Sequence, residues 1–205
     1  KGDHRGQGQK VAAQDKVQPQ QHQIHLAEPA GEKIENFAQH MAGLLSGRGK
    51  IKVENFFEKL DNLFASKQID QVEPFIKEVL DEAEAEKDYG LVIAACNELG
   101  GLYRALSRYE EGIELYQKAI AYLEELGAQE TEDYATTLIN YATTLNLSKQ
   151  FDQALDCYKE AIRILKACGI DEDYRIATLY NNMSLLYQGR QDMQTAIVYL
   201  QKALL

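Results

Sequence analysis

The residues best equipped for chemistry in this sequence are four histidines, three cysteines and one Gly-Arg-Gly-Lys run, and spacing decides what each can do. His22 and His25 stand three apart in a Gln-rich tract, with His4 and His40 more distant. Imidazoles hold zinc only when further ligands complete a tetrahedron. A tract of this composition has no framework to supply them, so no metal is expected. Cys96, Cys157 and Cys168 are odd in number and widely spaced, which fits neither a disulfide framework nor a zinc cluster. On one helix, Cys157 and Cys168 would lie about 16 Å apart, beyond disulfide reach. All three read as small apolar side chains in a reduced, cytoplasmic protein. Gly47-Arg48-Gly49-Lys50 has the ending of a phosphate-binding loop, but Leu44 stands where such a loop begins with Gly and Ile51 where it needs Ser or Thr. No Gly-x-Ser-x-Gly, Cys/His nucleophile pair or His-Glu-x-x-His occurs, and no histidine follows residue 50. The carboxylates are spread as solvated helix faces usually are. Neither an enzyme nor a cofactor is expected.

Bulk properties narrow the class further. The 205 residues are 45 % hydrophobic and 26 % charged, which suits one soluble domain or a domain with an appendage. No stretch approaches the roughly 18 consecutive apolar residues of a membrane span. The opening Lys1-Gly-Asp-His-Arg lacks both a Met and the apolar core of a secretory signal, so the chain is expected to begin inside a longer protein. Residues 1–50 carry a charge balance of +2 and residues 51–205 one of −12. An acidic body repels phosphate backbones, which argues against nucleic acid as a partner.

The elements that would position any site begin with a Gln-rich stretch, residues 1–31, too poor in aliphatic side chains to offset the entropy of ordering it. Residues 1–50 are expected to be poorly ordered, apart from a short helix over 32–45, where Ile34, Phe37, Met41, Leu44 and Leu45 recur at helical spacing. Gly47 and Gly49 read as a linker. From Ile51 the pattern becomes long amphipathic helices with a fixed period. Gly112, Ala154 and Ala196 are 42 apart, and Tyr109/Phe151/Met193, Tyr116/Tyr158/Leu200, Ala119/Ala161/Ala203 and Gly127/Gly169 keep the same offset. Each period reads as two helices, an A helix near 91–106, 134–147 and 174–188 and a B helix near 109–126, 151–168 and 193–205. Gly127 and Gly169 fall where a left-handed C-terminal cap is needed. Ser107, Ser148 and Asp192 sit in the short turns. Glu130, Glu132, Asp133 and then Asp171, Glu172 and Asp173 put negative charge before the later A helices, favourable to the helix dipole. Aromatic stripes at this spacing are inter-helix core, with tyrosine and phenylalanine in place of tryptophan.

These residues resemble the tetratricopeptide repeat (TPR) family. Its signature is matched by Leu99-Gly100, Tyr103, Gly112, Tyr116 and Ala119. It recurs in Tyr141-Ala142, Leu145, Ala154, Tyr158 and Ala161, then in Met183-Ser184, Tyr187, Ala196, Leu200 and Ala203. A unit of 42 instead of the common 34 is similar to the kinesin light chain type of repeat, frequent also in bacterial regulators. The resemblance implies an all-α solenoid of antiparallel helix pairs over 51–205. The repeats would be a divergent one at 51–88, then about 89–130, 131–172 and 173–205. In the divergent repeat, Phe56, Phe57, Leu60, Leu63 and Phe64 form one stripe and Ile69, Val72, Ile76, Val79 and Leu80 another, with Pro74 in the first turn of its second helix. The chain stops at Leu204-Leu205 without a polar cap, so either the protein continues or another chain covers that end. A homo-oligomer through the uncapped last helix follows from the second case.

The resemblance also implies a concave face lined by the A helices. Its inward columns fall on Ala94, Asn97, Glu98, Gly101, Arg104 and Ala105, then on Thr136, Ile139, Asn140, Thr143, Asn146 and Leu147. In the third repeat they fall on Thr178, Asn181, Asn182, Leu185, Gln188 and Gly189. An Asn side chain donates and accepts, so Asn97, Asn140 and Asn182 could grip the backbone of an extended peptide while small neighbours leave room for its side chains. Asn is a poor helix former, so several on one face need a reason. The family's carboxylate clamp for chaperone tails uses two or more cations, and Arg104 is the lone one here. The expected ligand is an uncharged or mixed protein segment bound by a scaffold; the alternatives are a sensory module of a larger regulator and a self-assembly module.

Overall fold

The structure, a computed structural model, describes residues 47–170 and 174–204. The Gln-rich segment, the expected helix over 32–45 and the acids Asp171, Glu172 and Asp173 lie outside them. The described chain is helical, with no strand among the described residues. Its helices are α1 (Gly47–Ala65), α2 (Ile69–Glu86), α3 (Tyr89–Ala105), α4 (Tyr109–Glu125), α5 (Glu132–Leu147), α6 (Phe151–Ala167), α7 (Tyr174–Gly189) and α8 (Met193–Lys202). They pack as successive antiparallel pairs, α3 on α4, α5 on α6 and α7 on α8, with α2 against α3 and α4 against α5 joining one pair to the next. The odd-numbered helices are A-type and the even-numbered ones B-type. The array is the all-α solenoid that the resemblance implies.

Two expectations at the N-terminal end are corrected. Gly47 and Gly49 are not a linker but open α1, because the helix behind them buries Val53, Phe56, Phe57 and Leu60, and such burial outweighs the weak helix propensity of glycine. Pro74 is not in the first turn of α2 but inside it, since the helix already begins at Ile69. Residue 74 therefore lacks the N–H that would bond the carbonyl of Asp70.

The turns repeat as faithfully as the helices. Each C-terminus from α1 to α7 is followed by a left-handed residue: Lys67, Lys87, Ser107, Gly127, Lys149, Gly169 and Gln191, at φ between 57° and 83°. The next N–H reaches back five residues, as from Arg108 to Tyr103 O at 2.8 Å and from Ala128 to Leu123 O at 2.9 Å. This double closure satisfies carbonyls the helix leaves open and reverses the chain within two residues. Asp88, Thr131 and Asp192 cap the following helices by accepting from the N–H groups of Leu91, Tyr134 and Thr195.

Close crossing sets the pair geometry. A Cβ on Gly100 would stand 2.8 Å from Cζ of the buried Tyr116, and one on Gly112 would stand 3.2 Å from Gly100 O. The two apolar clusters of the array meet where Tyr134 packs against both. Outside the core, Glu73 of α2 ties the first two pairs together. It accepts from Tyr103 Oη at 2.8 Å and pairs with Lys77 at 2.7 Å and Arg108 at 2.9 Å. The Arg108 guanidinium lies 3.9 Å over the Tyr103 ring. The hydrogen bond from Lys77, then those from Tyr103 and Arg108, hold the Glu73 carboxyl down from 4.5 to about 2.

Two outcomes follow. A carboxylate with a depressed folded pKa stabilises fully above its unfolded pKa and stops doing so as pH falls through the folded value. Thermal midpoints of the native chain should therefore fall more steeply between pH 4.5 and about 2 than those of Glu73→Gln. Equal acid slopes would show that the cluster contributes nothing. In denaturant titrations, Gly127→Ala should lose about 1 kcal/mol because φ is left-handed there, and Lys149→Gly should gain up to about 1 kcal/mol for the same reason.

Candidate peptide-binding face

A-type helices α3, α5 and α7 contact one another in turn, and some of the expected site residues meet across the first of these contacts. Between α3 and α5 these residues bond mutually. Asn97 Nδ2 donates to Thr137 Oγ1 at 3.1 Å and to Ile93 O at 3.0 Å. Asn140 Nδ2 donates to Asn97 Oδ1 at 3.5 Å, while Arg104 Nη1 donates to Asn140 O at 3.4 Å and Oδ1 at 3.3 Å. Thr143 Oγ1 donates to Ile139 O at 2.8 Å and lies 3.0 Å from Tyr158 Oη. The structure thus brings Asn97, Arg104 and Asn140 together as a hydrogen-bonded seam between two repeats.

Farther along, the face changes character. Thr136, Thr178, Asn181 and Gln188 are exposed, and Asn146 and Asn182 are half-buried. Thr178 Oγ1 turns inward to Tyr174 O. Among the described residues no hydrogen bond within the protein satisfies the side chains of Asn146, Asn181, Asn182 or Gln188. Asn182 is not bonded to Asn140, so the expected three-rung ladder divides into a closed seam and an open amide patch. Glu98 is half-buried beside the seam. Ala94, in the innermost expected column, is buried at 2 % exposure and belongs to the core.

Sequence reasoning missed Thr137, Thr144 and Tyr158. Thr137 and Thr144 are buried polar residues that anchor the seam from beneath, Thr144 by donating to Asn140 O at 2.9 Å. Two threonines in columns otherwise holding Ala95, Leu179, Leu102 and Leu186 are the signal that could have found them. Tyr158 and its repeat mate Tyr116 are both fully buried, and burial pushes both phenols up to about 12. Their hydroxyls differ. Tyr158 meets Thr143, whereas Gly101 occupies that column beside Tyr116, whose Oη has no hydrogen-bond partner. Among the described residues no helix is long and apolar enough to cross a membrane, and no cluster of three metal-ligating side chains occurs. The three cysteines are free thiols, Cys96 buried and Cys168 exposed.

The sequence profile of the tetratricopeptide repeat matches residues 91–167, and a second profile of the same repeat matches 177–205. The chain belongs to the tetratricopeptide repeat family. TPR arrays serve in general as protein–protein interaction scaffolds, without catalysis of their own. Among solved structures, the fold is similar to BtubC (BKLC) from P. vanneervenii, at TM-score 0.67 and 23 % identity over 85 % of this chain and 69 % of that one. It is similar also to a putative kinesin light chain of Podosopora anserina with nearly identical TPR-like repeats, at TM-score 0.63 and 15 % identity over 74 % of this chain and 73 % of that one. No curated protein sequence matches.

The unequal tyrosines give a test of the seam. Removing a bonded hydroxyl costs about 1 kcal/mol, whereas removing an unsatisfied one is nearly neutral or stabilising. Tyr158→Phe should therefore destabilise the TPR array in urea and Tyr116→Phe should not. The reverse order would mean that the hydroxyls do not distinguish the two repeats.

Proposed function

We propose that this chain is a binding scaffold that holds an extended, uncharged or mixed protein segment along the shared face of α3, α5 and α7. The observation that carries the reading is the open amide patch. Asn146, Asn181, Asn182 and Gln188 stay unbonded next to a seam whose amides are satisfied, and the three asparagines sit in helices that better helix formers would stabilise. An amide offers both a donor and an acceptor, the pair that a peptide backbone presents in extended form. The seam serves as a preformed floor, so binding does not have to order it. Glu98 and Arg104 bring one charge of each sign, and the two cations of a carboxylate clamp are lacking. The free thiols fit a reducing compartment, which favours the cytoplasm.

A displayed library of random peptides, panned on the intact chain, tests the reading. Selected peptides should bind with dissociation constants near the micromolar range, and Asn146→Ala/Asn181→Ala/Asn182→Ala should weaken them tenfold or more at unchanged helicity. Since Asn97 and Asn140 also hold the seam, Asn97→Ala should lower stability as well as affinity. Peptides that bind the triple variant as tightly as the parent would remove this face as the binding surface.

A further inference from the structure

The two buried phenols of the array differ in what meets them from the binding face. Tyr158 Oη lies 3.0 Å from Thr143 Oγ1, and Thr143 gives its own proton to Ile139 O at 2.8 Å, so in that pair the phenol donates. Gly101 holds the Thr143 position one period earlier. A Cβ built on Gly101 would lie 3.8 Å from Tyr116 Oη, and beyond its chain neighbours no other side chain comes within 4 Å of that point. Tyr116 is 0 % exposed, and its oxygen has no hydrogen-bond partner. The Thr144 hydroxyl stands near it on the α5 side but outside bonding distance, and donates to Asn140 O.

Packing does not account for glycine at this place. At Gly100 and Gly112 a Cβ would come within 3.2 Å of a neighbour, whereas at Gly101 the approach is ordinary contact. Glycine inside a helix weakens it relative to alanine, and a buried donor without an acceptor carries a desolvation cost. Two separate departures thus coincide on the inward side of α3. A group arriving from outside the chain accounts for both.

We propose that the segment held on this face sets a serine or threonine hydroxyl over Gly101, where it accepts from Tyr116 Oη as Thr143 accepts from Tyr158. The inference rests on the binding face proposed above and names the side chain that one position along it selects. A hydroxyl suits the place because it takes the phenol proton and keeps one of its own for a carbonyl, as Thr143 does. Solvent does not reach Oη in the free chain. Glu98 and Arg104 stand one turn to either side of Gly101, and the charges of both bear on the phenol. Seating the hydroxyl moves the ends of these long side chains and leaves the core as it is. The third repeat has no counterpart, since Leu185 and Leu200 hold the two positions.

Isosteric substitutions in the full chain test the geometry without a ligand. Gly101→Thr brings the missing hydroxyl in covalently, and Gly101→Val brings the same shape without it at similar helix propensity. Gly101→Thr should have the higher urea midpoint, and the difference should vanish in a Tyr116→Phe background. Equal midpoints would mean that a hydroxyl here does not meet the phenol, which overturns the proposal. So would a Tyr116→Phe chain less stable than the parent, since Oη would then be bonded already. Peptides panned on the parent give the second readout. They should share one Ser or Thr whose change to Ala weakens binding about five- to tenfold. Tyr116→Phe should cost the same, and the two changes together no more than either. Binders that weaken on Asn146→Ala/Asn181→Ala/Asn182→Ala but show no coupling between their hydroxyl and Tyr116 would overturn this inference and leave the binding face standing. Binders indifferent to that triple variant, or a library that yields none, would remove the face and the inference together.

Discussion

Every B-type helix here has two apolar faces to bury, and its own repeat can cover only one. The side of α4 turned toward α3 is closed by Gly100 and Tyr103, but Ile113 belongs to the cluster built on α5 and α6, and Gly112 sits between Gly100 of α3 and Thr144 of α5. Full burial of a large apolar side chain is worth about 1.5–3 kcal/mol. A repeat without its neighbour forfeits several such contributions at once, while the conformational entropy of its two helices is paid in full. Stability is therefore a property of interfaces between repeats. The seam of Asn97, Arg104 and Asn140 and the Glu73 cluster both lie on those interfaces, one on each side of the A-type helices' packing.

The interface demands register. One inserted residue turns every later position of a helix by about 100° and carries its stripe off the partner, so a stacking array tolerates change only in whole units or in the turns. Here even the turns are fixed, because reversal within two residues requires a left-handed backbone at one place. Glycine supplies it after α4 and α6, where the left-handed backbone itself, with no neighbour within 4 Å, is what favours a residue without Cβ. Lysine, serine and glutamine supply it after the A-type helices and after α2, at a strain the double hydrogen-bond closure outweighs.

The parts of this fold legible in the sequence are those that repeat. Most predicted helix bounds from Tyr89 onward fall within two residues of the observed ones, because the stripe, the small crossing residues and the capping glycines all carried the period. Where only one copy of a signal existed, reading failed. Proline's tolerance in a first turn puts Pro74 there, although the stripe that includes Ile69 and Val72 already occupies the turn before it, and with no repeat mate to compare, the two signals were not reconciled. The candidate face was legible as a set of columns but not as a set of bonds. Column logic assigns Asn97 and Asn140 one role, exposed amides, and has no means of showing that they meet each other across two helices or that Thr137 and Thr144 support them.

That division of one polar face into a satisfied half and an unsatisfied half bears on how such a groove works. The net charge of −12 over residues 51–205 acts over a range that salt shortens, so it would bear on the approach of a partner more than on its seating. Once a segment is seated, charge has little to act on, since the face itself offers mainly amides and hydroxyls. Hydrogen bonds from amides to a peptide backbone are nearly blind to sequence. Discrimination must then come from what stands between the amides. Gly101 leaves a gap at the first repeat, Thr143 is committed to Tyr158, and Leu185 presents a half-exposed apolar side chain at the third. A segment laid along this face would find space for bulk at one end and an apolar contact at the other. Selectivity would therefore rest on the spacing of two side chains in the ligand more than on its charge.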